Sequence, residues 1–422
     1  MILHPHVQGM KQSATLWINH QSRLLQEAGK PVFRWGLGQS PFPVPDRIVG
    51  ALKSRAHEKD YLPVEGCRAL REAVASYNHR KLGLNTEAED VLIGPGSKEL
   101  MFLLQLVFGG ELVIPSPSWV SYAPQAAMLG RPTHWIPTRE ENGWRLTPDE
   151  LEAWCATQPP GQRLLILNYP NNPTGCSYTP EALEALAQVA RKHQLLVLSD
   201  EIYGELHFEG AHVSMARYYP EGTVVSSGLS KWCGAGGWRL GTFSFAPELA
   251  WLKEAVAAAA SETFTSTSAP IQYAAIPAFQ GGSDMEAYLD GSRRVLKHVV
   301  HYTLDRLAEA HVHAPAVDGA FYIFPNFEHH REALAARGIH SSPQLCQTIL
   351  EETGVAFLPG TAFGRPPEEL TARMSLVDFD GDMALLLAAQ EEGPELGPAL
   401  RDTCCARMVH GTARLVEWVE QM

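Results

Sequence analysis

Four stretches of this chain place reactive or anion-binding side chains directly after apolar runs. VLIG at 91–94 is followed by the turn PGSKEL at 95–100, whose Gly96, Ser97 and Lys98 open the helical run LMFLLQLVF. Free backbone N–H groups at a helix start attract anions and a lysine adds charge, although a plain turn has the same composition. LLILN at 164–168 is followed by YPNNPTG at 169–175, where Asn-Pro and Thr-Gly steps stiffen a loop around the Asn172 amide or simply build a turn. LLVLSD at 195–200 ends in Asp200, with Glu201 and Tyr203 behind it. An acid closing a buried strand is costly unless it has a partner or caps a helix. TVVSS at 223–227 leads to GLSKWCGAGGWRLG at 228–241, carrying Ser230, Lys231 and Arg239. Its glycines at 234, 236, 237 and 241 let backbone approach a ligand, which a lysine on a solvated loop does not require. Together these residues describe one constellation: a nucleophilic amine, an acid, a phenol, a fixed amide and a cradle for an anion.

The intervening elements must bring these residues together. From about residue 48 to 250, apolar runs alternate with helical patterns such as 180–193, where Leu183, Leu186, Val189 and Ala190 share a face. That alternation predicts an α/β fold with a mainly parallel sheet covered by helices on both faces, and such sheets bind ligands at the carboxyl ends of their strands. Beyond about 285, long helices surround two short strand-like runs, GAFYIFP at 319–325 and ARMSLVDF at 372–379. This predicts a smaller α+β domain. The N-terminal segment, with a helix over 10–30 and a break at SPFPVPD (40–46), is expected to return to it. The expected division is an arm at 1–47, a large domain at 48–284 and a small domain at 285–422.

Composition narrows the function classes. With 422 residues, 45% hydrophobic and 19% charged, the chain is an ordinary globular sequence, which excludes wholesale disorder, collagen and coiled coil. No apolar run approaches the ~18–20 residues of a membrane span, and the start lacks a signal-peptide pattern, so a soluble cytoplasmic protein is expected. A formal net charge of −13 repels nucleic acid and anionic membranes. Seven cysteines without a CxxC pair suit reduced thiols rather than a disulfide framework. His298 and His301, one helical turn apart but without a matching carboxylate or cysteine, read as surface helix residues; no metal is expected.

The segments GLGQSPFPVP, YLPVEGCRALREAVA, YPNNPTG, SDEIY, SKWCGAGGWRLG and RMSL stand in that order between about Gly36 and Asp380. In them the chain resembles the class I/II aminotransferases, pyridoxal-phosphate enzymes of fold type I. The resemblance implies that Lys231 forms the internal aldimine and moves the substrate proton, and that Asp200 pairs with the pyridine N–H. It implies further that Asn172 and Tyr203 bond the ring hydroxyl oxygen. Gly96, Ser97, Lys98, Ser230 and Arg239 would cradle the phosphate, and Trp119 would stack on the ring rather than pack a core. Arg373 would grip the substrate α-carboxylate beside Asn172 and the Gly38 backbone N–H; its bland alternative is a structural pairing with Asp378 or Asp380. Tyr61 and Thr267 would reach the partner subunit's cofactor phosphate, which implies a homodimer with shared active sites. Trp17, Phe42 and Phe264 are candidate side-chain pocket residues, or simple core.

Three features depart from the family pattern. Gly228 stands where many relatives carry Ser or Thr, the loop after Cys233 is unusually rich in glycine, and the region beyond Asp380 is long. The last, with Cys404 and Cys405, is expected to be extra surface packing. The implied reaction moves an amino group from an α-amino acid to a 2-oxo acid. The same residues also serve elimination, replacement, decarboxylation or oxidation on this fold, so that alternative stays open. Lys231 and Asp200, and a match that starts near residue 36, argue against an inactive regulatory module with an added DNA-binding domain. GAGG at 234–237 lacks the GxGxxG spacing of a dinucleotide site.

Overall fold

The computed structural model describes residues 3–10, 14–391, 393 and 396–422. Its strands in chain order are β1 (Phe33–Arg34), β2 (Val91–Gly94), β3 (Glu111–Ser116), β4 (Thr133–Pro137), β5 (Arg163–Asn168) and β6 (Leu196–Asp200). Then come β7 (Thr223–Gly228), β8 (Gly241–Ser244), β9 (Tyr322–Ile323), β10 (Val355–Ala356), β11 (Leu358–Pro359) and β12 (Ala372–Ser375). Seven of them form the central sheet in the order β2-β8-β7-β6-β5-β3-β4, parallel throughout except at β8. Side chains alternate across a strand, and here both sets are buried. Leu164, Ile166 and Leu198 join one apolar cluster with Leu100 and Leu252, while Leu165, Leu167 and Val197 join another with Leu183 and Leu186. Covered faces explain why β5 and β6 read as unbroken apolar runs.

β4 and β8 lie outside the predicted strands. β4 is an edge strand in which only Ile136 is buried, so it carries no apolar run. β8 is four residues long and begins inside the glycine-rich segment.

The remaining strands build two small sheets: β11-β12-β9, antiparallel, and β1-β10, parallel, with Phe33 opposite Val355. The N-terminal segment therefore pairs with the C-terminal part of the chain. Its helix spans Ala14–Glu27; the expected positions 11–13 lie outside the described residues.

The stretch beyond Asp380 corrects an expectation, because it is core rather than surface packing. Helix Ala406–Glu420 buries Met408, Leu415 and Trp418, and a Cβ on Gly411 would lie 2.7 Å from the Trp35 ring. Cys404 and Cys405 are buried where the preceding helix ends, their Sγ atoms 3.7 Å apart. Both histidines lie on helix Ser283–Glu309, His301 exposed and His298 half-buried. Among the described residues no helix is long and apolar enough to cross a membrane, and no group of three or more His, Cys, Asp or Glu could hold a metal.

Candidate active site

The carboxyl ends of β2, β5, β6 and β7 converge on one cleft of about 560 Å³. Its floor is built by strand register. Asn168 lies opposite Asp200 across β5 and β6; its amide donates to the Asp200 carbonyl at 2.9 Å and accepts from the Asn172 backbone N–H at 2.7 Å. One side chain thus ties the YPNNPTG loop to the strand that ends in the acid. The Tyr122 hydroxyl donates to Asp200 Oδ2 at 2.5 Å. Burial pushes the Asp200 carboxyl up to about 6, with the Tyr122 hydrogen bond opposing. A cation placed above that floor would pull it back down.

Lys231, three residues beyond β7, donates to the Gly38 carbonyl at 2.9 Å. Burial, and then the charges of Arg373 and Arg239, bring its amine down to about 8. An amine so held is neutral often enough near pH 8 to attack a carbonyl.

Arg373, in β12, is only 1% exposed. It donates to Asn172 Oδ1 at 3.1 Å and to the Gly36 carbonyl; among the described residues its Nε has no partner and it forms no ion pair. The structural pairing considered for it goes elsewhere. Asp378 binds Arg407 at 2.9 Å, and Asp380 caps helix Gly381–Ala388 through the Met383 N–H.

An anion cradle closes one end. Helix Ser97–Val107 starts there, after Gly96 at φ +94°. A Cβ on Gly96 would sit 2.0 Å from Arg239 Nη2, and one on Gly241 would sit 2.2 Å from the Ser97 nitrogen. Ser230 and Arg239 share this lining with Ser97 and Lys98. Half-buried Trp119 forms a wall, edge-on to Tyr122 at 5.2 Å. The donors therefore suit a flat ring with an anionic group at one end and a ring nitrogen over Asp200, so the residues fit pyridoxal phosphate.

The cleft thus brings together Gly38, Ser97, Lys98, Trp119, Asn172, Asp200, Tyr203, Ser230, Lys231, Arg239 and Arg373, with Gly96 at its border. Two predicted site residues do not line the cleft of their own chain. Tyr61 is 89% exposed, and Thr267 is buried with its hydroxyl unpartnered among the described residues. Two of the candidate pocket residues belong to apolar clusters, Phe42 as a buried member and Phe264 packed against one, while exposed Trp17 is not among the residues lining the cleft and its neighbour Leu16 is. One helical position rotates a side chain by ~100°, which decides between the two. Gly228 carries no phosphate ligand: a Cβ there would lie 2.6 Å from the Leu240 carbonyl.

Sequence reasoning missed Tyr122, Asn168 and Tyr322. Tyr122 stands three residues after Trp119, and Asn168 closes a strand in the way Asp200 does. Tyr322 had no signal beyond its aromatic run.

The model of the family "aminotransferase class I and II" matches residues 30–378. An aspartate aminotransferase of Geobacillus stearothermophilus is 34% identical, over 87% of this chain and 93% of its own. An asparagine–oxo-acid transaminase of Streptococcus mutans is 32% identical, over 85% and 91%. Among solved structures, the aspartate aminotransferase from Thermus thermophilus with maleate superposes with a TM-score of 0.83 at 26% identity, over 99% of both chains. An aromatic aminotransferase from Pyrococcus horikoshii gives 0.78 at 27%, over 95% of this chain and 99% of that one. The chain belongs to the class I and II aminotransferases, on fold type I. It is a pyridoxal-phosphate-dependent enzyme that moves an amino group between an amino acid and a 2-oxo acid.

Proposed function

We propose a division of labour among the cleft residues, carried by one observation: a guanidinium 1% exposed, in a cleft, without a carboxylate partner among the described residues. Burying an unpaired charge costs several kcal/mol, and the carboxylate that offsets it at Arg373 is the α-carboxylate of the amino acid. Bound in the cleft, pyridoxal phosphate supplies an aldehyde that condenses with amines and a protonated ring that takes up the electrons released at the substrate Cα. Asp200 holds the proton on the ring nitrogen, and Lys231 carries the proton to and from Cα. Asn172 and Tyr203 bond the ring oxygen, Trp119 covers the ring face, and Gly96, Ser97, Lys98, Ser230 and Arg239 hold the phosphate. Gly38 adds its N–H to the α-carboxylate. The arm at 1–47 and residues 285–422 form a small domain over a large one at 48–284, in a cytoplasmic homodimer whose partner subunit contributes Tyr61 and Thr267.

Arg373→Ala is expected to raise KM for amino acids by roughly 2–4 kcal/mol, while amines without the carboxylate lose far less. Arg373→Lys should recover only part, because a point charge cannot reproduce the fork. A donor panel of aspartate, asparagine and amines lacking the α-carboxylate, scored as the amino acid formed from one fixed 2-oxo acid acceptor, measures both variants; equal losses for the two donor types would sink the assignment.

The shared site has its own test. Mixing Tyr61→Phe subunits with Lys231→Ala subunits should raise activity above either parent, since one site of each hybrid then carries neither lesion. Hybrids confirmed by mass spectrometry without a rise in activity would place Tyr61 outside the partner's site.

A further inference from the structure

Tyr322 lines the cleft between two residues assigned above, yet the division of labour leaves it without a task. It is buried at the end of the GAFY run, in β9, opposite Ser375 of β12. Arg373 is two residues before Ser375 and so lies on the same sheet face. The Arg373 guanidinium carbon stands 4.9 Å from the centre of the Tyr322 ring. At the other end of that ring, the Tyr322 hydroxyl is 2.7 Å from the Tyr203 hydroxyl, and among the described residues neither oxygen has another hydrogen-bond partner. The residue is held on both sides. A Cβ on Gly38 would lie 2.0 Å from its hydroxyl oxygen, and one on Gly175, in the YPNNPTG loop, 2.5 Å from its carbonyl. Its ring meets that of Tyr203 edge-on, with centroids 5.5 Å apart.

We infer that Tyr322 is a positioning residue acting through both ends: its ring backs the Arg373 guanidinium, and its hydroxyl donates to Tyr203, leaving the Tyr203 hydrogen free to point into the cleft. The inference rests on the roles proposed above for Tyr203 and Arg373. A phenol has one hydrogen and two lone pairs. Were Tyr203 to donate to Tyr322, it would offer only lone pairs to the cofactor's ring oxygen, itself an acceptor when ionised. A hydrogen bond received from Tyr322 turns the Tyr203 hydrogen outward and also polarises it, making Tyr203 the stronger donor. The charged groups facing the pair are Asp200 and Arg373, with the Lys231 amine 5.7 Å above the Tyr203 ring centre.

The test uses the whole chain loaded with pyridoxal phosphate and reads the pH titration of its visible band together with KM. Tyr322→Phe keeps the ring and removes the hydroxyl. The band's midpoint should move up by about half a pH unit, because a weaker donor leaves more charge on the ring oxygen to hold the shared proton. KM for the amino acid should stay within about twofold, since the ring still backs Arg373. Tyr322→Leu removes the ring and should raise KM by roughly tenfold. In a Tyr203→Phe background, Tyr322→Phe should no longer move the midpoint. An unmoved midpoint in Tyr322→Phe, or the same shift with and without the Tyr203 hydroxyl, would overturn the inference while leaving the reading of the site intact. A wild-type chain with no visible band removable by borohydride would overturn that reading instead. Should Tyr322→Leu fail to fold by thermal melt, the near-isosteric Phe variant alone decides.

Discussion

Asp200→Asn is expected to slow the amino-transfer half-reaction by several orders of magnitude while making the ligand-free chain more stable. The side chain keeps its shape and the Tyr122 hydrogen bond, but it loses the charge that holds the proton on the ring nitrogen. Loss of that electrostatic stabilisation in a water-poor site is worth roughly 3–5 kcal/mol of barrier. Stability moves the other way for a stated reason. Burial lifts the Asp200 carboxyl to about 6 in the folded chain. Between its ordinary value and about 6, the folded state keeps a proton that the unfolded state has released, so stability falls as pH rises through that window. Asparagine removes this loss, and above pH 6 the variant should gain up to roughly 3 kcal/mol. Single-turnover kinetics with bound cofactor and denaturant melts at pH 4, 6 and 8 measure the two effects. Near wild-type half-reaction rates would refute the electron-sink role.

Lys231→Ala is expected to bind the cofactor yet lose most turnover, because the amine both attaches to the cofactor and moves the Cα proton. Proton transfer alone accounts for about 10²–10⁴ in rate. In the wild type, borohydride should fix the cofactor to Lys231; recovery of the label on Lys98 would show that the nucleophile has been misassigned. The amine also leaves a mark on the ligand-free chain. Burial and two arginines bring it to about 8, whereas an unfolded lysine titrates near its ordinary value. Between the two, the unfolded chain binds the extra proton, so this lysine makes stability rise as pH increases above about 8. Lys231→Met should flatten that rise, a difference of about 3 kcal/mol by pH 10. Parallel curves for the two proteins would mean that the amine is not desolvated.

The reactive residues were legible in the sequence because a parallel sheet makes them so. A strand buried on both faces favours apolar side chains, so β5 and β6 announce themselves and β7 does so through Val224 and Val225, and whatever follows each one stands at the carboxyl edge of the sheet. Asn172, Asp200 and Lys231 are therefore assembled by strand order and local chain direction, and the motifs around them add the family. β4 was hidden by its exposed edge and β8 by its glycines, since neither leaves an apolar pattern to read.

Contacts between residues far apart in the chain were decided by packing alone. Arg373 meets Asn172 across 201 positions, and Tyr203 meets Tyr322 across 119. No local pattern says that the first ends without a counter-ion while Asp378 and Asp380 turn elsewhere, or that the second joins two hydroxyls. Leu16 rather than Trp17 faces the cleft through one step of helical rotation, and Phe33 finds Val355 as a strand partner because both lie beside the C-terminal helix that completes the core. Side-chain type and spacing along the chain determine which chemistry is available; which group is left unpaired, and toward which cavity, depends on the shape the whole chain adopts when its apolar faces are buried together.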